Sequence, residues 1–175
     1  MPRPEPTEYA AAYAGYVDLI TDQEIISVLE RQIDELRSLA DEINEDLGSF
    51  TYAPGKWTIK QLVGHLADGE RIFAYRALRI ARRDATPLPG FDQDPYIAAG
   101  RFDERPLAEI FQELIAVRRS NLFLFASLHD DDWSAVGTAA DNPVSVRAIA
   151  YVMAGHIAHH LQILRERYLN RPNAV

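Results

Sequence analysis

The sequence predicts an all-α fold, a four-helix bundle with a long crossover loop between its second and third helices. Three observations lead there. Four long segments carry apolar residues at helical spacing, caps or breakers punctuate them, and no stretch sustains the period-two alternation of a half-buried strand. Amphipathic helices must bury their stripes against one another, and four of them do so economically as a bundle.

The first helix is expected to open at Thr21, with Glu24 three residues on completing a capping box. Ile25, Ile26, Leu29, Ile33, Leu36, Ala40, Ile43 and Leu47 form its stripe, and Gly48 with the turn-like run Tyr52-Ala-Pro-Gly55 ends it. The second starts at Thr58, boxed by Gln61, follows the helical period through Ile59, Leu62, Val63, Leu66, Phe73 and Ile80, and stops near Arg83-Asp84. From Ala85 to Arg105 the chain carries Pro87, Pro89, Gly90, Pro95 and Gly100. That loop is longer than a simple up-down bundle needs and reads as a crossover or a functional cover. Pro106 suits the first turn of a third helix whose buried face runs through Leu107, Ile110, Phe111, Leu114, Val117, Leu124, Phe125 and Leu128. Residues 130–143 read as a polar turn region. Ser145 is the expected N-cap of the fourth helix, which runs through Ile149, Val152, Met153, Ile157, Ile163 and Leu164 and closes near Pro172. Residues 21–170 thus form one domain. Residues 1–20 form a leader in which Tyr9, Tyr13 and Tyr16 mark a short helix across the bundle, their stripe read as packing.

Composition narrows the functions. A chain of 175 residues with 47% hydrophobic and 25% charged content is a globular domain, not a disordered one. No apolar run approaches the roughly 20 residues that span a bilayer. The first seven residues hold three prolines and no secretory core, so the expectation is a cytoplasmic protein without a membrane partner. The absence of cysteine removes disulfides, thiolate metal sites and cysteine nucleophiles, so any thiol chemistry would use a thiol brought by another molecule. Eighteen basic against 26 acidic residues give a net charge of −8, which repels nucleic acid. The clusters Arg76, Arg79, Arg82, Arg83 and Arg165, Arg167 read as complements to helix dipoles. No Gly-rich phosphate loop, serine elbow or glycosidase-type carboxylate pair is present.

The histidines carry the chemistry. His156 and His160 are four residues apart, about 40° of rotation and roughly 6 Å of rise on one helix face, and that face is the apolar one. His65 lies beside Leu62 and Leu66 on the second helix, where docking could bring it to the same point. Buried imidazoles need partners, so the three either hydrogen-bond one another and buried carboxylates or share one metal ion. Three protein ligands would leave a fourth tetrahedral position for water or substrate, the pattern of a catalytic centre. Zinc is the first expectation for that one divalent ion, with nickel, iron and manganese also compatible with imidazole. Asp68 and Glu70, a turn beyond His65, are candidates for supporting carboxylates, with simple solvation as the alternative. His159 is a candidate for a supporting or cavity-lining role, and His129, beside Asp130 to Asp132, reads as a solvated helix-end residue.

Four blocks resemble the DinB-like family of metal-binding four-helix bundles, and in particular its DinB-2 branch, which is related to YfiT-like proteins. They are Gly55-Lys-Trp-Thr-Ile-Lys-Gln-Leu-Val-Gly-His65-Leu-Ala-Asp68, Glu70-Arg-Ile-Phe-Ala-Tyr-Arg-Ala-Leu-Arg79, Pro87-Leu-Pro-Gly-Phe-Asp92 and Gly155-His-Ile-Ala-His-His160-Leu-Gln-Ile-Leu-Arg-Glu-Arg-Tyr168. The resemblance implies a bundle with a long crossover and a metal held by His65, His156 and His160, with His159 outside the ligand set. It also implies activity as a metal-dependent hydrolase, or as a transferase using a low-molecular-weight thiol such as bacillithiol. A non-catalytic metal-binding stress protein is the further alternative. A small-molecule substrate and a homodimer are expected on the same ground.

Overall fold

The computed structural model describes residues 2–21 and 24–170 of the chain. In chain order the helices are α1 (Ala14–Asp18), α2 (Ile25–Glu42), α3 (Glu45–Gly48), α4 (Ile59–Ala81), α5 (Gln93–Gly100), α6 (Leu107–Ala126) and α7 (Asp130–Trp133). A two-stranded hairpin, β1 (Val136–Ala139) and β2 (Asn142–Ser145), leads into α8 (Val146–Ile163), which continues as wider π-type turns over Leu164–Leu169. The four long helices α2, α4, α6 and α8 form the bundle. Among the described residues no helix is long and apolar enough to cross a membrane.

Residue pairs fix the helix directions. Glu45 ties the starts of α4 and α6 together, pairing with Lys60 Nζ at 2.5 Å and accepting from the Leu107 N–H at 2.7 Å. Further along, Glu70 of α4 meets Arg118 of α6, so these neighbours run parallel. α8 runs against α4, with Tyr168 donating to the Trp57 carbonyl at one end and His156 against Phe73 at the other. α2 runs against α6, with Glu45 of α3, just past the end of α2, near Leu107 and Gln32 of α2 near Arg118. Because α4 and α6 are parallel, the chain must travel back along the bundle, about 30 Å for a helix the length of α6. Residues 82–106 make that return.

Two caps behave as the sequence indicates. The Thr58 hydroxyl accepts from the Gln61 N–H while Gln61 Oε1 accepts from the Thr58 N–H, both at 3.1 Å. Ser145 Oγ accepts from the Ala148 N–H at 3.0 Å. Elsewhere the boundaries differ. α2 begins at Ile25 with Glu24 at the N-cap position, so Thr21 does not cap it. The first stripe does not run unbroken to Leu47, because Ile43 is extended and Asn44 caps the separate turn α3 through the Leu47 N–H. The 85–105 connection holds α5 and a 3₁₀ turn at Phe102–Glu104, so it is folded and not a bare loop. The polar region after α6 contains α7 and the hairpin, whose two turn residues, Ala140 and Asp141, both have positive φ, as a tight primed turn demands. Leu88 bridges to Ala139 beside it. The stop expected at Pro172 lies outside the described residues.

The segment expected as a leader is packed down. Val17 is fully buried, Ile20 nearly so, and Tyr9 sits at the core edge. Glu8 accepts from Ser145 Oγ at 2.6 Å and pairs with the Arg147 guanidinium. Burial pushes the Glu8 carboxyl up, but hydrogen bonds from Arg147, Ser145 and the Glu5 backbone outweigh it and hold the group at about 2. Gly155 on α8 makes this docking possible: a Cβ there would overlap the Tyr16 carbonyl.

One polar network crosses the middle of the bundle and joins all four helices. Arg118 of α6, fully buried, is forked onto Glu70 of α4, itself 2% exposed, by Nε at 2.9 Å and Nη2 at 2.6 Å. Its Nη1 reaches Gln32 Oε1 on α2 at 2.8 Å, and Gln32 Nε2 donates to the Ala154 carbonyl of α8 at 2.8 Å. Asn121 Nδ2 donates to Glu70 Oε2 at 3.0 Å. A bidentate pair with its remaining valences filled is the arrangement that survives the desolvation cost of burial. Removing one member strands the other. Arg118→Ala is therefore expected to lose about 3–5 kcal/mol in urea unfolding, while Arg118→Met with Glu70→Met recovers most of that loss. Equal losses in the single and double variants would contradict this.

Candidate metal centre

His65 comes from the second turn of α4, and His156 and His160 from successive turns of α8. All three are buried, at 4, 5 and 9% exposure. The antiparallel packing of α4 on α8 brings them together. His65 Nε2 lies 2.9 Å from His156 Nε2, and one atom from each of the three rings falls within 4.8 Å of the others. Ring centroids are 4.8 Å apart for His65–His156, 5.1 Å for His65–His160 and 4.7 Å for His156–His160.

Aromatic rings wall the cluster. Trp57 tilts against His65 at 4.9 Å and stacks on His160 at 6.5 Å. Tyr16 meets His156 edge-on at 5.4 Å, as does Phe73 at 5.8 Å. Gly69 leaves room for the His156 ring, since a Cβ there would stand 3.0 Å from its Cε1. This dry setting disfavours the imidazolium form. Burial lowers His65 to about 4, partly offset by the Asp94 carboxylate, and lowers His160 to about 3, helped by His65 and His159. His156 is pushed well below its ordinary value, by burial first and then by the neighbouring imidazoles and Arg118.

The arrangement suits a metal ion. Neutral imidazoles present lone pairs, and the Nδ1 of His160 is buried with no hydrogen-bond partner. With bonds of 2.0–2.1 Å, tetrahedral ligand atoms stand about 3.3 Å apart, within the range these rings already span.

Two pockets open onto the cluster. One, of about 310 Å³, is lined by Tyr13, Tyr16, Phe73, Phe91, Asp92, His65 and His156. The other, of about 330 Å³, is lined by Tyr52, Lys56, Trp57, Asp94, His160 and Tyr168. Gln93, the first residue of α5, borders both.

Of the other candidate residues, His159 adjoins the cluster and Glu70 is taken up by the polar network. Asp68 is partly buried and lies 3.7 Å from Arg71, which in turn bonds Glu113; burial raises its carboxyl. Glu70 is neither solvated nor beside the histidines but belongs to the Arg118 network. His159 is partly buried, its ring 5.0 Å from that of His160 and 5.3 Å from that of Tyr16. His129 is exposed at the start of α7. Arg76 is no helix-end complement: it is buried between Phe73 and Phe91 and donates to the Pro89 carbonyl at 2.7 Å, holding the crossover strap down. Sequence reasoning did not single out Trp57, Phe91 and Gln93, and it read Tyr13 and Tyr16 as packing. Only the breaker-rich length of the crossover hinted that its residues serve a site.

The sequence profile of the DinB superfamily matches residues 28–164, which include all three histidines. The chain belongs to the DinB superfamily. A protein of Oceanobacillus iheyensis named "Putative metal-dependent hydrolase OB0413" is 34% identical over 74 residues, a match spanning 42% of this chain and 42% of that protein. Among solved structures, YfiT from Bacillus subtilis covers 93% of this chain and 93% of its own with a TM-score of 0.67 at 19% identity. YfiT is described as "a probable metal-dependent hydrolase with an unusual four-helix bundle topology", and at that identity the likeness shows a shared fold.

The depressed histidines imply a pH dependence for the metal-free chain. Their unfolded forms titrate near the ordinary imidazole value of 6.5, the folded His65 near 4 and His160 near 3. Below 6.5 the unfolded chain takes up protons that the folded chain refuses, so stability is full above that value and falls as the pH drops toward 4. The urea midpoint of metal-free protein should be lower at pH about 5 than at about 7.5, and the difference should shrink in His65→Leu with His160→Leu. An equal difference in that double variant would contradict the assignment.

Proposed function

We propose that this DinB-superfamily protein is a metal-dependent enzyme in which His65, His156 and His160 hold one divalent ion, zinc in the first instance. We further propose that it joins a low-molecular-weight thiol of the bacillithiol type to an electrophilic carbon, in the cytoplasm. The observation that carries the reading is the convergence of three buried, neutral imidazoles at the floor of open pockets. A cation bound there would supply Lewis acidity, lowering the pKa of a thiol or water beside it.

The chain's own residues do the rest. Trp57, Tyr16 and Phe73 keep bulk water from the imidazoles. Asp94, on the same pocket as His160, offers a carboxylate oxygen to the thiol proton. In the transfer an S–C bond forms, the bond from carbon to its leaving group breaks, and the leaving group departs with the electron pair. The missing cysteine fits a thiol supplied from outside.

A second reading is hydrolysis, with water replacing the thiol. It is favoured by the names given to the Oceanobacillus protein and to YfiT.

Elemental analysis of untagged protein should find close to one divalent ion per chain, with the content falling strongly in His65→Ala and His160→Ala. Unchanged metal in the variants would reject the ligand set. With the loaded protein, thiol-dependent conjugation of 1-chloro-2,4-dinitrobenzene supports transfer. Thiol-independent cleavage of a nitrophenyl ester supports hydrolysis, and metal binding without either reaction marks a protein that stores or senses the ion.

A further inference from the structure

Two arginines are buried among the described residues, and they are treated differently. Arg118 is forked onto the Glu70 carboxylate. Arg76, two turns further along α4 and 4% exposed, donates from Nη2 to the Pro89 carbonyl at 2.7 Å and meets no carboxylate among the described residues. Its Cζ lies 6.0 Å from the centroids of both Phe73 and Phe91, so aromatic faces supply much of its surroundings. A guanidinium carries five N–H donors, and a buried cation stays unfavourable until an anion takes them up. The acids nearby are engaged elsewhere. Glu113 holds Arg71 and Arg105, Asp84 holds Arg79, and Asp92 accepts from the Asp94 N–H at the start of α5.

Arg76 borders a pocket of about 250 Å³ between α4 and the returning crossover. Arg71 and Tyr75 face it from α4, and Leu88, Phe91 and Tyr96 from the crossover. No carboxylate and none of the three histidines is among the described residues that line it. Tyr75 and Tyr96 are about half exposed and form its rim toward solvent. A second cavity touching Arg76, about 20 Å³, has room for a single water. Phe91 also lines the 310 Å³ pocket over His65 and His156, so its ring is a wall shared by the two pockets.

We propose that this pocket is a second ligand site, separate from the histidine cluster, which takes a small aromatic carboxylate. The carboxylate accepts hydrogen bonds from Arg76, and the ring lies against Phe91 and Tyr96. A planar carboxylate matches the fork of a guanidinium, and Arg76 has N–H groups to give it. Arg71 is already held by Glu113, so one positive charge is left for the ligand, which suits a monoanion. The rest of the wall, with Leu88, Phe91 and the two tyrosine rings, suits a ring or short chain and offers nothing to a second negative charge. Phosphate, with more charge and stronger hydration, would lose more on entering than one guanidinium between apolar walls returns. A pocket just below the usual size of drug-binding sites fits a single ring with a short acid chain. Arg76 belongs to α4, Phe91 and Tyr96 to the crossover, so an occupied pocket ties the crossover to the bundle beside the histidine pocket. The site goes beyond the reaction proposed above and stands whether the centre transfers, hydrolyses or only stores its ion.

The probe is 3-phenylpropanoate, titrated by calorimetry into the full chain in zinc-loaded and metal-free forms, with its neutral amide and inorganic phosphate as comparisons. The acid should bind both forms with a Kd of about 10 μM to 1 mM, the two values agreeing within about twofold. The amide should bind at least about tenfold more weakly, and phosphate more weakly than the acid. Arg76→Gln keeps a donor for the Pro89 carbonyl but no charge, and should weaken the acid by about tenfold while leaving the amide unchanged. Tyr96→Ala, at an exposed position, should weaken acid and amide alike, by about threefold. If Arg76→Gln does not fold, the acid–amide comparison and Tyr96→Ala still decide. Binding to the zinc-loaded form alone would put the carboxylate on the ion, and equal binding of acid and amide would remove the guanidinium from the site. Tighter binding of phosphate would change the ligand class, and unchanged affinity in Arg76→Gln or Tyr96→Ala would put the acid elsewhere. Each of these, or no saturation below about 10 mM, overturns the assignment. Failure of the chain to hold a metal or to transfer a thiol would leave it standing.

Discussion

Three imidazoles in a dry interior must stay neutral, and the design of the protein turns on that constraint. A protonated cluster would repel a cation, whereas a neutral one presents lone pairs. Aromatic rings line the cluster, and the Asp94 carboxylate that acts on His65 offsets only part of the burial. Arg118, a buried cation that acts on His156, is engaged by Glu70, so the bundle's own charge pair is satisfied among its helices instead of at the site. The same network fastens Gln32 to the Ala154 carbonyl, two residues before His156, and so helps to set the position of α8 against the other helices.

Topology supplies what the bundle alone lacks. Parallel neighbours α4 and α6 oblige the chain to return along the bundle, and the returning segment places Phe91, Gln93 and Asp94 over the histidines. Arg76 pins that strap through the Pro89 carbonyl, and Leu88 joins it to the hairpin edge. On the other side, Gly155 lets the Tyr16 backbone lie directly on α8, which delivers an aromatic ring to His156. Rigid helices thus hold the three histidines, while connections that tolerate change shape the pockets. The fold is shared with YfiT at 19% identity.

Periodicity and caps made much of this legible from the sequence. The stripes of all four long helices, the Thr58–Gln61 box, the Ser145 cap and the outlying crossover are local features, decided by side chains within a turn or two of one another. The shared apolar face of His156 and His160 is local too. The hairpin escaped because its turn uses Ala140 and Asp141 in left-handed conformations where Asn-Gly would have announced it. The break at Ile43 escaped because the apolar period continues through it.

What only the tertiary structure decided is where distant groups meet. Nothing local in α4 says that His65 faces α8, that Glu70 is sequestered by Arg118, or that Arg76 is buried under the crossover, since each depends on the register between helices far apart in the chain. Tyr13 and Tyr16 look like packing until α1 is laid across α8, and Phe91 and Gln93 look like loop until the parallel α4–α6 pair draws that loop back over the site. A single helix determines which residues share its face; only the docking of one face on another determines which lone pairs converge.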